Sequence, residues 1–288
     1  MFMLAYLLLI FAPRLVSSTG AAKPATGPSA RCQEETTMCK GSYLPQHTCP
    51  TNQRYCTDIH HVRSTKECDV EGLHIISRDS WGARSPREPL NTLGSQLSFF
   101  IIHHAAGYSC TDLTSCLQQM KEVQKEQQYK KNFSDIAYHY LIGGDGTVFE
   151  GRGGKFRGAH SPGYNGKSIG VCLLGNFMTT EPTSKAMASL TKLHTCLMSV
   201  GVLSEDNSVF GHRDVRPTAC PGDVFYKILP DKFKPYWHRI EPEMWTDCRA
   251  FEKGTCKDIN KELCTEGTWK SNKCPGPAEI RCCSLSGK

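Results

Sequence analysis

The sequence lacks any long block of basic residues. Lysine and arginine number 34 against 28 aspartate and glutamate residues, and the formal charge of +6 is spread along the 288 residues. A dispersed charge of this size attracts anionic surfaces only weakly and is unlike a dedicated nucleic-acid-binding arm. We therefore expect no nucleic-acid partner.

The chain also lacks an apolar run long enough to span a membrane. The apolar run Phe2–Ala12 ends before Pro13, whereas a spanning helix needs about 20 apolar residues. A run of this length is typical of a secretory signal peptide, and the small residues that follow suit cleavage between residues 18 and 22. We expect a signal peptide at residues 1–18, no transmembrane span and a secreted, extracellular protein.

Cysteine, by contrast, is abundant. The 16 cysteines would be mostly idle thiols in a reducing cytosol but would form disulfides in an oxidising compartment, which also indicates secretion. After a linker at residues 19–31, we expect a small cysteine-rich region at 32–67 and a six-cysteine module at 248–283. The N-terminal region contains four cysteines, which are Cys32, Cys39, Cys49 and Cys56. Four cysteines allow three pairings, and the sequence does not choose among them.

The patterns of a conventional core fall between residues 68 and 240. Hydrophobic periodicity and turn residues predict alternating strands and helices. In chain order these are a strand at 99–106, a helix to about 129, a hairpin of 137–142 and 147–152, a strand at 168–177, a helix around 187–198 and a short strand at 209–213. This order favours an α/β fold with a mixed central β-sheet flanked by helices.

One group of residues in this domain has the composition of a metal site. His212 and Cys220 lie close together in a segment that Pro217 and Pro221 favour as a loop. His103, at the end of a predicted core strand, completes a His, His, Cys set, which leaves the fourth position of zinc for water. Each residue taken singly also has an alternative to the role of metal ligand. Each histidine could be a hydrogen-bonded strand residue, and the cysteine could be a disulfide partner.

Cysteine parity supports the metal site without deciding it. If Cys220 is a ligand and Cys172 is a buried free thiol, an even number of cysteines remains. Cys110 and Cys116 then form a close pair, and Cys68 and Cys196 are left for each other. A bridge between Cys172 and Cys220 would satisfy the parity equally well.

Five motifs in the predicted domain resemble those of the peptidoglycan recognition proteins. This family is related to the zinc-dependent N-acetylmuramoyl-L-alanine amidases of bacteriophage-lysozyme type, and the resemblance covers roughly residues 70–240. It implies the amidase fold and a substrate of bacterial peptidoglycan. The motifs are FFIIHHAA at 99–106, CTDLTSC at 110–116, AYHYLIGGDGTVFEGRG at 137–153, GAHSPGYNGKSIGVCLLGNF at 158–177 and GHRDVRPTACPG at 211–222.

The resemblance implies a role for individual residues. It makes His103, His212 and Cys220 the ligands of Zn²⁺ and Tyr138 the catalytic tyrosine; without the family, Tyr138 reads as a strand aromatic. Zinc would supply a hydroxide that attacks the amide between muramic acid and L-alanine. Family members that only bind peptidoglycan commonly replace the cysteine ligand, which this chain keeps.

The resemblance also implies a substrate groove beside the zinc. The chain departs from the family in having Gly154 where a tryptophan is usual, and it has a threonine, as eukaryotic amidases tend to, where phage enzymes have a lysine. For the charged residues Arg152, Lys155 and Arg157, a role as solvated turn charges is an equal alternative. The residues implied for substrate binding are His160, Tyr164, Asn165, Arg152 and Thr218.

The C-terminal cysteines resemble the β-defensin framework. That resemblance implies the pairs Cys248–Cys282, Cys256–Cys274 and Cys264–Cys283, and it implies contact with bacterial surfaces. The alternative is a disulfide-stapled structural cap. Because all three expected ligands lie upstream, we expect deletion of residues 248–288 to spare zinc binding.

Three functions are compatible with these features. The first is a secreted amidase of innate immunity, and the second is a non-catalytic peptidoglycan-binding receptor. The third is a lytic antimicrobial effector that acts through the defensin-like module. The joint presence of the three expected ligands and Tyr138 favours the amidase.

Overall fold

A six-stranded mixed sheet forms the centre of the protein. The computed structural model describes residues 68, 70–240 and 247–285, together with backbone strands at 30–34, 42–43 and 53–57. The expected signal peptide, most of the expected linker and the side chains of the four N-terminal cysteines lie outside the described residues. The strands at 30–34, 42–43 and 53–57 (β1, β2 and β3) form a small antiparallel sheet in the order β1-β3-β2.

The central sheet has the order β4-β7-β6-β8-β5-β9. Only β6 and β7, the predicted hairpin, pair antiparallel; the other neighbours are parallel. The predicted mixed α/β fold is thereby confirmed. The strands are β4 (Ile75–Ile76), β5 (Leu97–His104), β6 (Tyr140–Ile142), β7 (Val148–Glu150), β8 (Ser168–Leu173) and β9 (Leu203–Gly211).

Helices cover both faces of this sheet. The long helix α2 begins after Asp112, whose side chain forms a capping box with Ser115, and α3 begins after Thr183, whose hydroxyl accepts from the amide of Ala186. These caps satisfy amides that a helix start leaves unpaired. The helices are α1 (Arg78–Trp81), α2 (Leu113–Tyr129), α3 (Ser184–Ser199), α4 (His212–Val215) and α5 (Asp223–Lys232).

The core lies on both sides of the sheet because the strand side chains alternate in direction. On one side, Phe100 and Ile102 of β5 pack with residues of α3 and α5. On the other, Leu141 and Cys172 pack with residues of α2, among them Met120. The strands are therefore apolar on both faces, as is typical of parallel sheets.

Two disulfides tie the central domain together. Cys68–Cys196 joins the entry of the domain to α3, and Cys110–Cys116 closes the segment that leads into α2. Among the described residues, Cys172 and Cys220 are the free cysteines. Within the same residues, no helix combines the length and the apolar character that crossing a bilayer requires.

The C-terminal module forms a second small sheet. A π-helical turn (Asp247–Phe251) precedes strands β10 (Thr255–Asp258), β11 (Thr268–Lys270) and β12 (Ile280–Ser284), which pair in the order β10-β12-β11. Three disulfides join Cys248 to Cys282, Cys256 to Cys274 and Cys264 to Cys283. These are the pairs that the β-defensin resemblance implies; the defensin-like role stays a prediction.

Candidate metal centre

Strand register brings two histidines together at the carboxyl end of the sheet. Ile102 of β5 pairs with Gly211 of β9 in a parallel register, so the residues that follow them, His103 and His212, lie side by side. Their ring centroids are 4.3 Å apart. In open α/β sheets this edge is where ligands usually bind.

The end of β9 differs from the expected strand at residues 209–213. The strand stops at Gly211, and His212 begins the short helix α4. The reason is Asp214, whose Oδ2 accepts from the amide of Gly211 at 2.7 Å. The hydroxyl of Tyr226 donates to the other carboxylate oxygen, which holds this turn in place.

Cys220 reaches the same point from the loop after α4. Its carbonyl accepts from the amide of Arg213 at 2.9 Å, and its Sγ lies 3.8 Å from Nδ1 of His103. The candidate ligand atoms of His103, His212 and Cys220 all lie within 4.8 Å of one another. The structure thus brings the predicted ligand set together.

Burial controls the charge of these three side chains. It lowers the pKa of His103 well below its usual value and that of His212 to about 4, so both imidazoles are neutral at pH 7 and offer lone pairs. Burial raises the pKa of Cys220 to about 12, so its thiolate needs a nearby cation. Nε2 of His212 is buried and has no hydrogen-bond partner within the described parts of the chain. Two imidazoles and one cysteine suit a borderline dication such as Zn²⁺.

His160 lies behind His103 in a slot formed by two glycines. A Cβ added at Gly158 or Gly170 would lie 2.5 Å from the His160 ring, which is far too close for carbon atoms. Nδ1 of His160 lies 2.9 Å from Nε2 of His103. The imidazole therefore fits only because neither glycine carries a side chain.

A hydrogen-bond chain fixes the orientation of this pair. The hydroxyl of Ser168 donates to the carbonyl of Tyr164 at 2.7 Å, so its oxygen accepts from Nε2 of His160 at 3.3 Å. Nδ1 of His160 is then the acceptor for Nε2–H of His103. This tautomer leaves the lone pair of His103 Nδ1 on the side of Cys220. The sequence analysis did not identify the supporting roles of Ser168, Gly158 and Gly170, although all three lie within the quoted 158–177 motif.

Tyr138 lies beside the ligand cluster. Its ring centroid is 5.1 Å from that of His103. Burial, with the neighbouring Cys172 and Cys220, raises the pKa of the phenol well above its usual value. The hydroxyl therefore stays protonated and can donate a hydrogen bond.

His104 is separated from the cluster by the alternation of β5. Its Nδ1 accepts from the amide of Phe177 at 3.3 Å, and burial lowers its pKa to about 4. Its backbone faces the site: the amide lies 3.4 Å and the carbonyl oxygen 3.9 Å from Cys220 Sγ. The side chain thus lies apart from the candidate ligands.

The remaining residues predicted to bind substrate are engaged within the protein. Tyr164 is buried edge-on against Phe99, and Oδ1 of Asn165 accepts from the amides of His160 and Ser161. Thr218 Oγ1 accepts from the amide of Cys220 at 3.2 Å. These contacts shape the loops around the site, and a direct substrate contact by these residues stays a prediction.

Arg152 is buried rather than solvated, with 7% of its surface exposed. Its guanidinium donates to the carbonyls of Ile136 and Arg157, each at 2.6 Å. The alternative of a solvated turn charge is therefore wrong for Arg152, whereas Lys155 and Arg157 are exposed, as that alternative expects. Its predicted contact with substrate would require the guanidinium to share donors that already serve the backbone.

Comparisons with known proteins agree with this geometry. Residues 93–223 match the Amidase_2 family, described as N-acetylmuramoyl-L-alanine amidase. Peptidoglycan-recognition protein SC2 of Drosophila simulans is 40% identical over 153 residues, which cover 53% of this chain and 83% of that protein. Peptidoglycan recognition protein 1 of Mus musculus is 39% identical over 156 residues, covering 54% and 85%.

A solved structure of the same kind carries a ligand. Human PGRP-IBETAC, in complex with glycosamyl muramyl pentapeptide, superposes with a TM-score of 0.53 at 30% identity, covering 54% of this chain and 94% of that one. The fold and the matched residues thus define a domain of the Amidase_2 fold. Within that fold, the chain belongs to the peptidoglycan recognition protein family.

Proposed function

We propose that this protein is a secreted, zinc-dependent N-acetylmuramoyl-L-alanine amidase of innate immunity. It binds bacterial peptidoglycan and hydrolyses the amide bond between N-acetylmuramic acid and L-alanine. The observation that carries the proposal is the convergence of His103, His212 and Cys220 within 4.8 Å, with Tyr138 beside them. Family members that bind without cleaving do not need all four side chains.

Peptidoglycan as the ligand is supported by the family. The human relative with a bound muramyl pentapeptide has the same fold over most of its length. The candidate site lies at the carboxyl end of the sheet, and a muramyl peptide bound there would place its scissile amide beside the candidate ligands and Tyr138. Secretion is supported by five disulfides in the described chain, since such bridges persist in oxidising compartments.

His103, His212 and Cys220 would hold the metal in this reaction. The chemistry that zinc would supply there is Lewis acidity, for activating a water molecule at neutral pH and for polarising a carbonyl group. His160 keeps His103 in the tautomer that presents Nδ1. Arg213 and Thr218 fix the loop of Cys220 through backbone and hydroxyl contacts.

Tyr138 acts as a hydrogen-bond donor. Its raised pKa keeps the proton on the phenol throughout the working pH range. In the protein alone the hydroxyl is hydrogen-bonded to Cys172; in the reaction it donates instead to the amide oxygen of the substrate, which gains negative charge as the carbonyl carbon becomes tetrahedral. A preorganised donor stabilises that charge more than it stabilises the substrate.

The test is digestion of insoluble peptidoglycan by purified protein. We expect release of stem peptides that carry a free L-alanine amine. This release should stop when the metal is chelated and should resume when zinc is restored. Binding to peptidoglycan without release, in protein shown to contain zinc, would overturn catalysis and leave the receptor function. Cys220→Ser is the matched control, because it removes one candidate ligand and keeps a similar volume.

A further inference from the structure

The C-terminal module contacts the loop that carries the candidate metal ligands. The amide of Gly276 donates to the carbonyl of Arg213 at 2.5 Å and lies 3.3 Å from that of Arg216. Gly276 also forms an isolated parallel β-bridge with Pro217. The contact therefore falls between His212 and Cys220 in the sequence.

Arg213 connects this contact to Cys220. While its carbonyl accepts from Gly276, its own amide donates to the carbonyl of Cys220 at 2.9 Å. Its guanidinium donates to the carbonyl of Ala219 and pairs with Asp223 at 2.8 Å. One hydrogen-bonded path thus runs from the module, through a single residue, to the candidate cysteine ligand.

The turn of the module is built to present this amide. Gly276 has a φ of 105°, which favours glycine, and a Cβ there would lie 3.0 Å from a side-chain carbon of Ile280. Cys274, two residues earlier, is fully buried and bonded to Cys256. The disulfide anchors the turn to β10. The backbone conformation of Gly276 directs its N–H towards the carbonyl of Arg213.

We propose that the Cys274–Gly276 turn of the C-terminal module is a positioning element for the metal centre. By fixing Arg213, it holds the loop that sets Cys220 against His103. This inference rests on the metal centre of the proposed function, but not on catalysis. It changes the expectation that deletion of residues 248–288 spares zinc binding, because the loop would lose a backbone partner.

The first measurement needs no variant. In the full-length protein, hydrogen exchange should show the amide of Gly276 strongly protected. It should also show that exchange at the amides of Arg213, Arg216 and Cys220 slows when zinc is added. Rapid exchange at Gly276, as in an open turn, would overturn the contact and with it the proposal.

The second measurement compares two substitutions within the module of the full-length protein. Gly276→Ala disturbs the turn at the contact, where its Cβ would lie 3.0 Å from Ile280, whereas Thr268→Ala removes only an exposed side chain of β11. We expect Gly276→Ala to raise the zinc dissociation constant about 10-fold, a size typical of lost support around a metal ligand, and to speed exchange at Cys220. We expect Thr268→Ala to do neither. Equal effects of the two variants, or none from Gly276→Ala, would overturn the proposal.

Two controls separate the possible failures. Disulfide mapping establishes that both variants keep the three module bridges; if Gly276→Ala scrambles them, the exchange measurement on the unchanged protein decides. Zinc binding by the unchanged protein is measured first. If it binds none, the proposed function fails, whereas protection of Gly276 still reports whether the module holds the loop.

Discussion

Nδ1 of His160 accepts a hydrogen bond from Nε2 of His103 across 2.9 Å, at the back of the candidate metal centre. His160 is itself held by Ser168. A histidine in this position fixes the tautomer and the ring angle of its neighbour, and such partners commonly determine metal affinity. The residue that the family resemblance assigns to the substrate groove is thus a support for a candidate ligand.

His160→Phe should weaken zinc binding by about 10- to 100-fold, because the ring shape is kept while the acceptor for His103 is lost. Zinc competition with a chelating dye measures the change. Gly170→Ala is an independent test, since its Cβ would displace the same imidazole. Unchanged zinc affinity in both variants would mean that His103 is oriented without His160.

Cys220→Ser should abolish amidase activity while leaving binding to insoluble peptidoglycan largely intact. The substitution removes the thiolate that completes the candidate ligand set, whereas the other groove contacts do not involve this side chain. Metal analysis, a cleavage assay and a pull-down on peptidoglycan measure the three properties. A variant that still cleaves at the normal rate would contradict the ligand assignment.

Tyr138→Phe should lower the cleavage rate by ~10²- to 10³-fold with no loss of metal. Only a hydroxyl beside the developing negative charge is deleted, and one such donor is typically worth this factor. Turnover of a soluble muropeptide is compared with the zinc content of the same sample. An unchanged rate would reduce Tyr138 to a packing residue against His103.

The fold was largely predictable because its signals are local. Periodicity gave the helix ending at Tyr129, and the glycine-rich turn at residues 143–146 gave the β6–β7 hairpin. The end of β9 was not predictable in this way, since it depends on Asp214 accepting from Gly211. A side-chain cap three residues ahead is not visible in hydrophobic periodicity.

The sequence predicted which candidate ligands lie together, but not which residues support them. Histidine and cysteine side chains are common zinc ligands, so their presence in the motifs was enough to single out His103, His212 and Cys220. A glycine such as Gly158 or Gly276 indicates from sequence only that the backbone has conformational freedom there. Their roles depend on which ring or carbonyl lies against them in three dimensions, and this information is non-local.

The last prediction concerns the pH dependence of stability and a histidine remote from the metal centre. His194 of α3 is buried among aromatic rings that include Phe100 and Tyr236, and its Nε2 lies 2.9 Å from Oδ1 of Asn207. Burial lowers its pKa below the usual value, although the hydrogen bond to Asn207 opposes this. Below pH 6.5 the unfolded chain therefore binds a proton at this residue that the folded protein does not bind.

It follows that His194 lowers the free energy of unfolding as the pH falls from 6.5 towards its depressed pKa in the folded state. One proton contributes a slope of at most about 1.4 kcal/mol per pH unit. In urea titrations of chelator-treated protein between pH 7 and 5, His194→Gln should show a shallower loss of stability than the unchanged protein. The exposed Thr195 of the same helix provides the control Thr195→Ser, which adds and removes no titratable group and should leave the slope unaltered. If the unfolding free energies of His194→Gln and the unchanged protein fall with the same slope, the imidazole takes up its proton in the folded state. The assignment of a buried, neutral His194 would then be wrong.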